Sequence, residues 1–507
     1  MTRRRVSVVG ALLLVVAIAA CDGSGAAARQ ARAARTTTTS TRPAPTTTTT
    51  EPAPDPAPLA WAPCGGSIQC ATLTVPVDYA HPRNATIGIS LAREPAGDPA
   101  HRIGSLVVNP GGPGEAGTQL LGRDLGVLAP GVRARFDVIE MDPRGVGNSG
   151  GLHCSSGDTG SADGATADPI PVTAPARDAL IAADRGYAQA CARAAGPLLG
   201  YIGTTDVARD LEQLRKAVGD ERLTFVGMSY GTLLGATYAD LFPTHVRALV
   251  LDGVIDPSLP SFELWMAQAV GFQQQLDGFF AWCGSGCAWR PGIALPDALD
   301  RLTQRVRAQP LAVGNATAGV SQLYTALFSR LSSSSRWPSL AAALGAAEHG
   351  DGGPILQLTR SYLGQTPGAT INADASSAIN CLDHPVDTDL SHYDALAAQA
   401  AGRSRAFGPY LAWAGVMCAT WSAPPTRQPH PVRAPGAPTA LVIGTTSDAA
   451  TPYAWAQSVA ATFEHAVLLT RRATGHVAML SSACVRDIVG HYLVDLAPPA
   501  PGTFCAG

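Results

Sequence analysis

A serine side chain stands clear of a sheet edge only where a strand and the helix after it close tightly around it. Leu223-Thr-Phe-Val-Gly-Met-Ser-Tyr-Gly-Thr232 has the composition for such a turn. The apolar, β-prone run Leu223 to Val226 enters Gly227-Met228-Ser229-Tyr230-Gly231, and the small, apolar Leu233 to Tyr238 leaves it with helical character. This is G-x-S-x-G in the strand–turn–helix setting of a nucleophile elbow, where flanking residues without side chains let the strained turn form. The pentapeptide alone is a weak signal in a chain with 53 glycines, so the rest of the sequence must supply the partners it needs.

A length of 507 residues suits two or three units, or one large domain with an insertion. Apolar residues make up 46% and charged residues 15%, enough for a sizeable core and too apolar for general disorder. The net charge of −3, without a basic stripe, speaks against a nucleic-acid partner. Residues 1–20 read as an export signal, with Arg3-Arg4-Arg5 before an apolar run from Val6 to Ala20. That run falls short of the roughly 20 residues of a membrane span. Ile18-Ala19-Ala20-Cys21 resembles the bacterial lipoprotein box, which implies cleavage before Cys21 and lipidation of it. The expectation is an exported protein, either secreted or held on the outer side of the cell membrane by the lipid alone.

Ten cysteines follow Cys21: Cys64, Cys70, Cys154, Cys191, Cys283, Cys287, Cys381, Cys418, Cys484 and Cys505. An even set in an exported chain reads as disulfides. Neighbours in this order are the suggested pairs, although spacing does not fix connectivity. Cys283-x-x-x-Cys287 is also half of a zinc pattern, but no His or Cys pair at metal spacing follows it, so no metal is expected.

Residues 21–58 are rich in Ala, Thr and Pro and read as a solvated tether. From Trp61 the character changes. Cys64 to Val77 and Ile87 to Arg93 read as an antiparallel pair of strands, and Ser105 to Val108 as a short buried strand running into Asn109-Pro-Gly-Gly-Pro-Gly114. Phe136 to Asp142 is the next strand, followed by a helix over Thr205 to Val218 with Thr205 as its cap. The elbow strand, its helix and Ala248 to Asp252 complete the pattern. Buried strands alternating with helices imply a mainly parallel sheet with helices on both faces. Residues 256–434 break that rhythm with helix-rich sequence, and strands resume at Ala440 to Ile443 and Ala466 to Leu469. The economical reading is one α/β core in two parts, 59–255 and 435–507, with a helical cap over 256–434 inserted before the last two core strands.

A nucleophilic Ser229 needs a base, an acid to orient it, and oxyanion donors. In α/β-hydrolases the chain order is Ser, then Asp or Glu, then His. The two resumed strands deliver that order, with Asp448 after the first and His476 after the second. The Asn109 to Gly114 turn follows a buried strand, so the N–H of Gly112 is expected to join that of Tyr230 as the oxyanion hole. No phosphate-cradling motif and no H-E-x-x-H pair are present, and no cofactor is implied.

Several motifs together resemble the secreted tripeptidyl aminopeptidases of the prolyl-aminopeptidase-like α/β-hydrolase family. They are Asn109 to Gly114, Met141-Asp-Pro-Arg-Gly-Val-Gly-Asn-Ser149, Thr205-Asp-Val-Ala-Arg-Asp-Leu211, Gly227 to Gly231, Ala378-Ile-Asn-Cys-Leu-Asp383, Cys418-Ala-Thr-Trp421, Asp448-Ala-Ala-Thr-Pro452 and Gly475-His476. The resemblance implies the α/β-hydrolase fold and a serine exopeptidase that removes short peptides, tripeptides among them, from free N-termini. It also implies the alternative of a cell-envelope carboxylesterase or lipase acting on small acyl esters with the same triad. Where the family carries small residues after its glycine turn, this chain has Glu115. Glu115, Glu263 and Asp383 are therefore the candidates for holding a substrate ammonium group, with solvent slightly favoured for Glu115. A serine at the elbow argues against dehalogenases and epoxide hydrolases, which carry Asp there. Joint presence of Ser229, Asp448, His476 and the glycine turn argues against a non-catalytic envelope lipoprotein.

Overall fold

A computed structural model describes residues 53–154, 167–366 and 368–506. The export segment, Cys21 and the tether up to residue 52 lie outside the described residues.

Short apolar runs between turns become strands β1 (Ala62–Gly65), β2 (Ile68–Pro76), β3 (Thr86–Glu94), β4 (Gly104–Asn109), β5 (Phe136–Met141), β6 (Leu223–Met228) and β7 (Val246–Asp252). After a small hairpin of β8 (Leu311–Val313) and β9 (Ala316–Ala318) come β10 (Ala440–Ser447), β11 (Ala466–Thr474) and β12 (Phe504–Ala506). All but the hairpin form one sheet in the order β1-β2-β3-β5-β4-β6-β7-β10-β11-β12. Pairing is antiparallel from β1 to β5 and parallel from β5 to β12. Two expectations change here. The long first strand is a hairpin of β1 and β2, and three strands, not two, follow the helical insertion. Phe504–Ala506 is too short to show a period, and it pairs with β11 beside the Cys484–Cys505 bridge.

Period-2 alternation assigns the central side chains to two faces. Val107, Phe225, Leu249, Leu251 and Val442 pack under helices Thr204–Ala217, Tyr230–Leu241 and Tyr453–Thr462. Leu106, Val108, Val226, Val250, Leu441 and Ile443 pack under helices Gly117–Asp124, Pro130–Arg135 and Ala483–Asp495. Near-continuous apolar strands are what burial on both faces requires.

Between β7 and β10 the helices from Ser261–Gly284 to Phe407–Ala419, apart from Ala373–Asp383, build a separate core on Phe272, Phe279, Trp289, Phe407 and Trp413, whereas Ala373–Asp383 packs with Tyr230 and Leu233. Helix Ala174–Ala195 comes before the elbow in sequence, yet its Leu180 belongs to this same core and the helix packs on Phe407–Ala419. Five disulfides join Cys64–Cys70, Cys154–Cys191, Cys283–Cys287, Cys381–Cys418 and Cys484–Cys505. Among the described residues no helix is long and apolar enough to cross a membrane.

The helix expected from Thr205 runs Thr204–Ala217, and Thr205 does not cap it. Its first N–H, that of Thr204, goes instead to Asp383, a carboxylate from far along the chain. The Met141 to Ser149 motif is structural. Asp142 accepts Thr118 N–H and hydroxyl and Asn148 N–H, which closes its loop against helix Gly117–Asp124. Arg144 is fully buried, forks onto Asp210 and donates to the carbonyls of Pro76 and Val77, so it ties the antiparallel edge to helix Thr204–Ala217.

Candidate active site

Ser229 sits between β6 and helix Tyr230–Leu241 with φ 55° and ψ −120°, a conformation that side chains other than glycine's rarely adopt. Close approach explains the glycines around it. A Cβ on Gly227 would lie 2.2 Å from the Gly231 carbonyl oxygen, and one on Gly231 would lie 2.6 Å from that of Asn109. On the facing turn, a Cβ on Gly111 would lie 2.5 Å from the Met228 carbonyl oxygen. The elbow therefore closes only if all three stay without side chains. Ser229 N–H donates to the Asp252 carbonyl at 2.9 Å, which anchors the turn to the end of β7.

His476, after β11, approaches from the other side, with its Nε2 2.8 Å from Ser229 Oγ. Its Nδ1 lies 2.8 Å from Asp448 Oδ2, after β10. The Asp448 carboxylate is held in turn by the N–H groups of Ala450 and Thr451 and by the Thr451 hydroxyl, each at 2.9 Å. With Nδ1–H donated to Asp448, Nε2 is the free lone pair facing the serine. Burial pushes the imidazole down, but the charge and hydrogen bond of Asp448, with a further push from Asp252, outweigh burial and the opposing charge of Arg336. His476 is held above its ordinary value.

Asp252, at the end of β7, is a site residue that pattern reading missed. Its buried carboxylate accepts the N–H groups of Ala478 and Met479 at 3.0 and 2.8 Å, in the turn that carries His476. Burial pushes it up to about 6, against those two bonds. A lone acid directly after the buried apolar run Ala248 to Leu251 was the available signal.

Ser229 and His476 open into a cavity of about 850 Å³, whose walls come from the helical insertion as well as the sheet edge. Gly112 lines it. The Gly111 N–H is taken by Asn109 Oδ1 at 3.1 Å, so Gly112 is the turn glycine at the cavity surface. Tyr230 N–H is the first of its helix, where no intrahelical acceptor exists, and it directly follows the serine. Glu115 belongs to the cavity wall, where Thr370 Oγ1 donates to its Oε2 at 2.6 Å, and so departs from the expected solvent position.

The other two acid candidates are not in the cavity wall. Glu263 lies on the outer side of its helix, paired with Arg403 at 2.7 Å. Asp383 is buried and taken up by the N–H and hydroxyl of Thr204. Helical spacing alone does not say which face of an inserted helix looks inward.

A hydroxyl, an imidazole and a carboxylate in this chain of contacts are equipped for nucleophilic acyl transfer. Together with the sheet and elbow they define an α/β-hydrolase. Residues 104–286 match the family model described as alpha/beta hydrolase fold, and residues 404–505 match the one described as TAP-like protein. The chain is 33% identical over 490 residues to serine protease Hip1 of Mycobacterium tuberculosis, covering 88% of this chain and 91% of that one. It is 31% identical over 468 residues to tripeptidyl aminopeptidase of Streptomyces lividans, with 87% and 84% covered. Carboxylesterase B of Mycobacterium tuberculosis is 33% identical over 465 residues, with 86% of each covered. The chain belongs to the family of α/β-hydrolases with a TAP-like carboxyl-terminal part that includes these serine peptidases.

Proposed function

We propose that this chain is an exported serine exopeptidase that releases short peptides, tripeptides among them, from free N-termini. Ser229 attacks the scissile carbonyl while His476 takes its proton, Asp448 holds the imidazole in the reactive tautomer, and the N–H groups of Gly112 and Tyr230 receive the oxyanion. His476 then returns the proton to the leaving amine, and water repeats the sequence on the acyl-enzyme. The observation that carries this reading is the Ser229–His476–Asp448 relay, 2.8 Å at each step, inside a walled cavity. The helical insertion acts as a cap that restricts entry to chain ends. Glu115, the one carboxylate among the described residues lining the cavity, is the residue for the substrate ammonium. Five disulfides support an oxidising compartment outside the cytosol. Lipidation at Cys21 is the proposed means of retention at the membrane.

A second reading, carboxylesterase, is favoured by the similarity to carboxylesterase B. Rates on Ala-Ala-Ala-arylamide, its N-acetyl form and p-nitrophenyl butyrate separate the two. The exopeptidase hydrolyses the free peptide much faster than the acetylated one. Equal rates on both, or activity on the ester alone, would reject it. Ser229→Ala abolishes turnover on every substrate while the protein stays folded.

A further inference from the structure

The cavity over Ser229 carries more positive charge than acyl transfer uses. Among the described residues its lining has three arginines (Arg123, Arg330 and Arg336) against the single carboxylate of Glu115. Arg123 is matched by its neighbour Asp124 at 2.6 Å. The other two are not. Arg330 closes helix Val320–Leu331, and Arg336 lies in the short turn before helix Trp337–Glu348. Burial and then the like charge of Arg336 both push the Arg330 guanidinium down, with no acid to offset them. Arg330 Nε is buried and has no hydrogen-bond acceptor. Arg336 makes one long contact, Nη1 to the Ser329 carbonyl at 3.4 Å. Its charge is felt at His476, which puts Arg336 within electrostatic reach of the reacting atoms.

Both guanidinium groups line the cavity and neither is paired with a carboxylate, so an anion entering there would relieve the repulsion between them. Planar guanidinium forks fit a carboxylate in particular. We propose that Arg330 and Arg336 form a subsite for a substrate carboxylate, so that the cavity selects short peptides bearing one near the scissile bond. This rests on the peptidase reading. The carboxylate has two sources, an acidic side chain or the α-carboxylate of a peptide short enough to bring its own end into the cavity.

The test measures kcat/KM for two matched pairs at one pH: Ala-Ala-Glu-arylamide against Ala-Ala-Gln-arylamide, and Ala-Ala-Ala-Ala as free acid against its carboxyl-terminal amide. In at least one pair the carboxylate form is preferred roughly tenfold, the size of one charge-assisted contact. The pair that shows it identifies the source. R330Q and R336Q bring that ratio towards one and R330K keeps part of it; since each ratio is taken within one variant, loss of folded protein cancels. Ratios near one in both pairs, or ratios that survive both Gln variants, overturn the subsite while turnover of Ala-Ala-Ala-arylamide leaves the peptidase standing. If no peptide is cleaved and p-nitrophenyl butyrate is, the peptidase reading fails. Inhibition of that ester hydrolysis by Ala-Ala-Ala free acid against its amide then decides the subsite, with equal inhibition overturning it.

Discussion

Thr204 gives both its backbone N–H and its hydroxyl to the carboxylate of Asp383. With its one proton committed there, the hydroxyl oxygen accepts from Tyr230 Oη at 2.6 Å. Tyr230 directly follows Ser229, so a carboxylate on the helical insertion is linked through one threonine to the elbow.

Burial pushes Asp383 up to about 6. A carboxyl whose folded value lies above its unfolded one favours the fold below the unfolded value, and that contribution is lost as pH rises through about 6. The full rise above the ordinary carboxylate value corresponds to about 3 kcal/mol. Asp206 and Asp252 shift the same way, each to about 6 and chiefly through burial. Unfolding by urea at pH 5 and pH 8 should therefore show a smaller loss of stability with rising pH in Asp383→Asn than in the unaltered protein. Equal losses would mean that Asp383 does not titrate in this range.

In the proposed mechanism, protonation of His476 removes the base, and its raised value places the acid limb of kcat/KM above the ordinary imidazole value of 6.5. Asp448→Asn removes the charge that raises it, so the limb moves to lower pH and kcat falls on the order of 10⁴-fold. Arg336→Gln removes an opposing charge and moves the limb the other way. A pH–rate profile of each variant on a neutral arylamide checks both directions.

In the proposed mechanism Asp252 is a positioning residue, holding the turn after His476. Asp252→Ala frees the N–H groups of Ala478 and Met479, which lets the imidazole wander from Ser229. A misplacement of this kind costs on the order of 10²-fold in kcat with KM little changed. Steady-state kinetics beside a thermal melt separates this from unfolding, and a loss confined to KM would contradict it.

The Arg144–Asp210 pair has no solvent exposure on either side. Arg144→Met leaves Asp210 buried without its counter-charge and frees the Pro76 and Val77 carbonyls, so stability falls by about 3–5 kcal/mol. Urea unfolding measures it. The double variant with Asp210→Leu recovers part of the loss if the stranded charge is its cause.

The hydrolase core and the three relay residues were legible because they follow local rules. A strand's apolar run, the glycines of a strained turn and the order Ser229, Asp448, His476 are written within a few residues of each site. Helix Ala174–Ala195 joining the inserted core, β12 pairing beside β11, the inward or outward aim of Glu115, Glu263 and Asp383, and the places of Asp252, Arg330 and Arg336 were not. Each depends on which distant segment meets which, Thr204 with Asp383 or Glu263 with Arg403, and no periodicity within one segment encodes that meeting. Local sequence determined the sheet, the elbow and the order of the three candidate residues, because backbone strain and hydrophobic alternation act over neighbouring residues. Tertiary packing decided which charges face the cavity, because a helix places any residue inward or outward only once its partner surfaces are in contact.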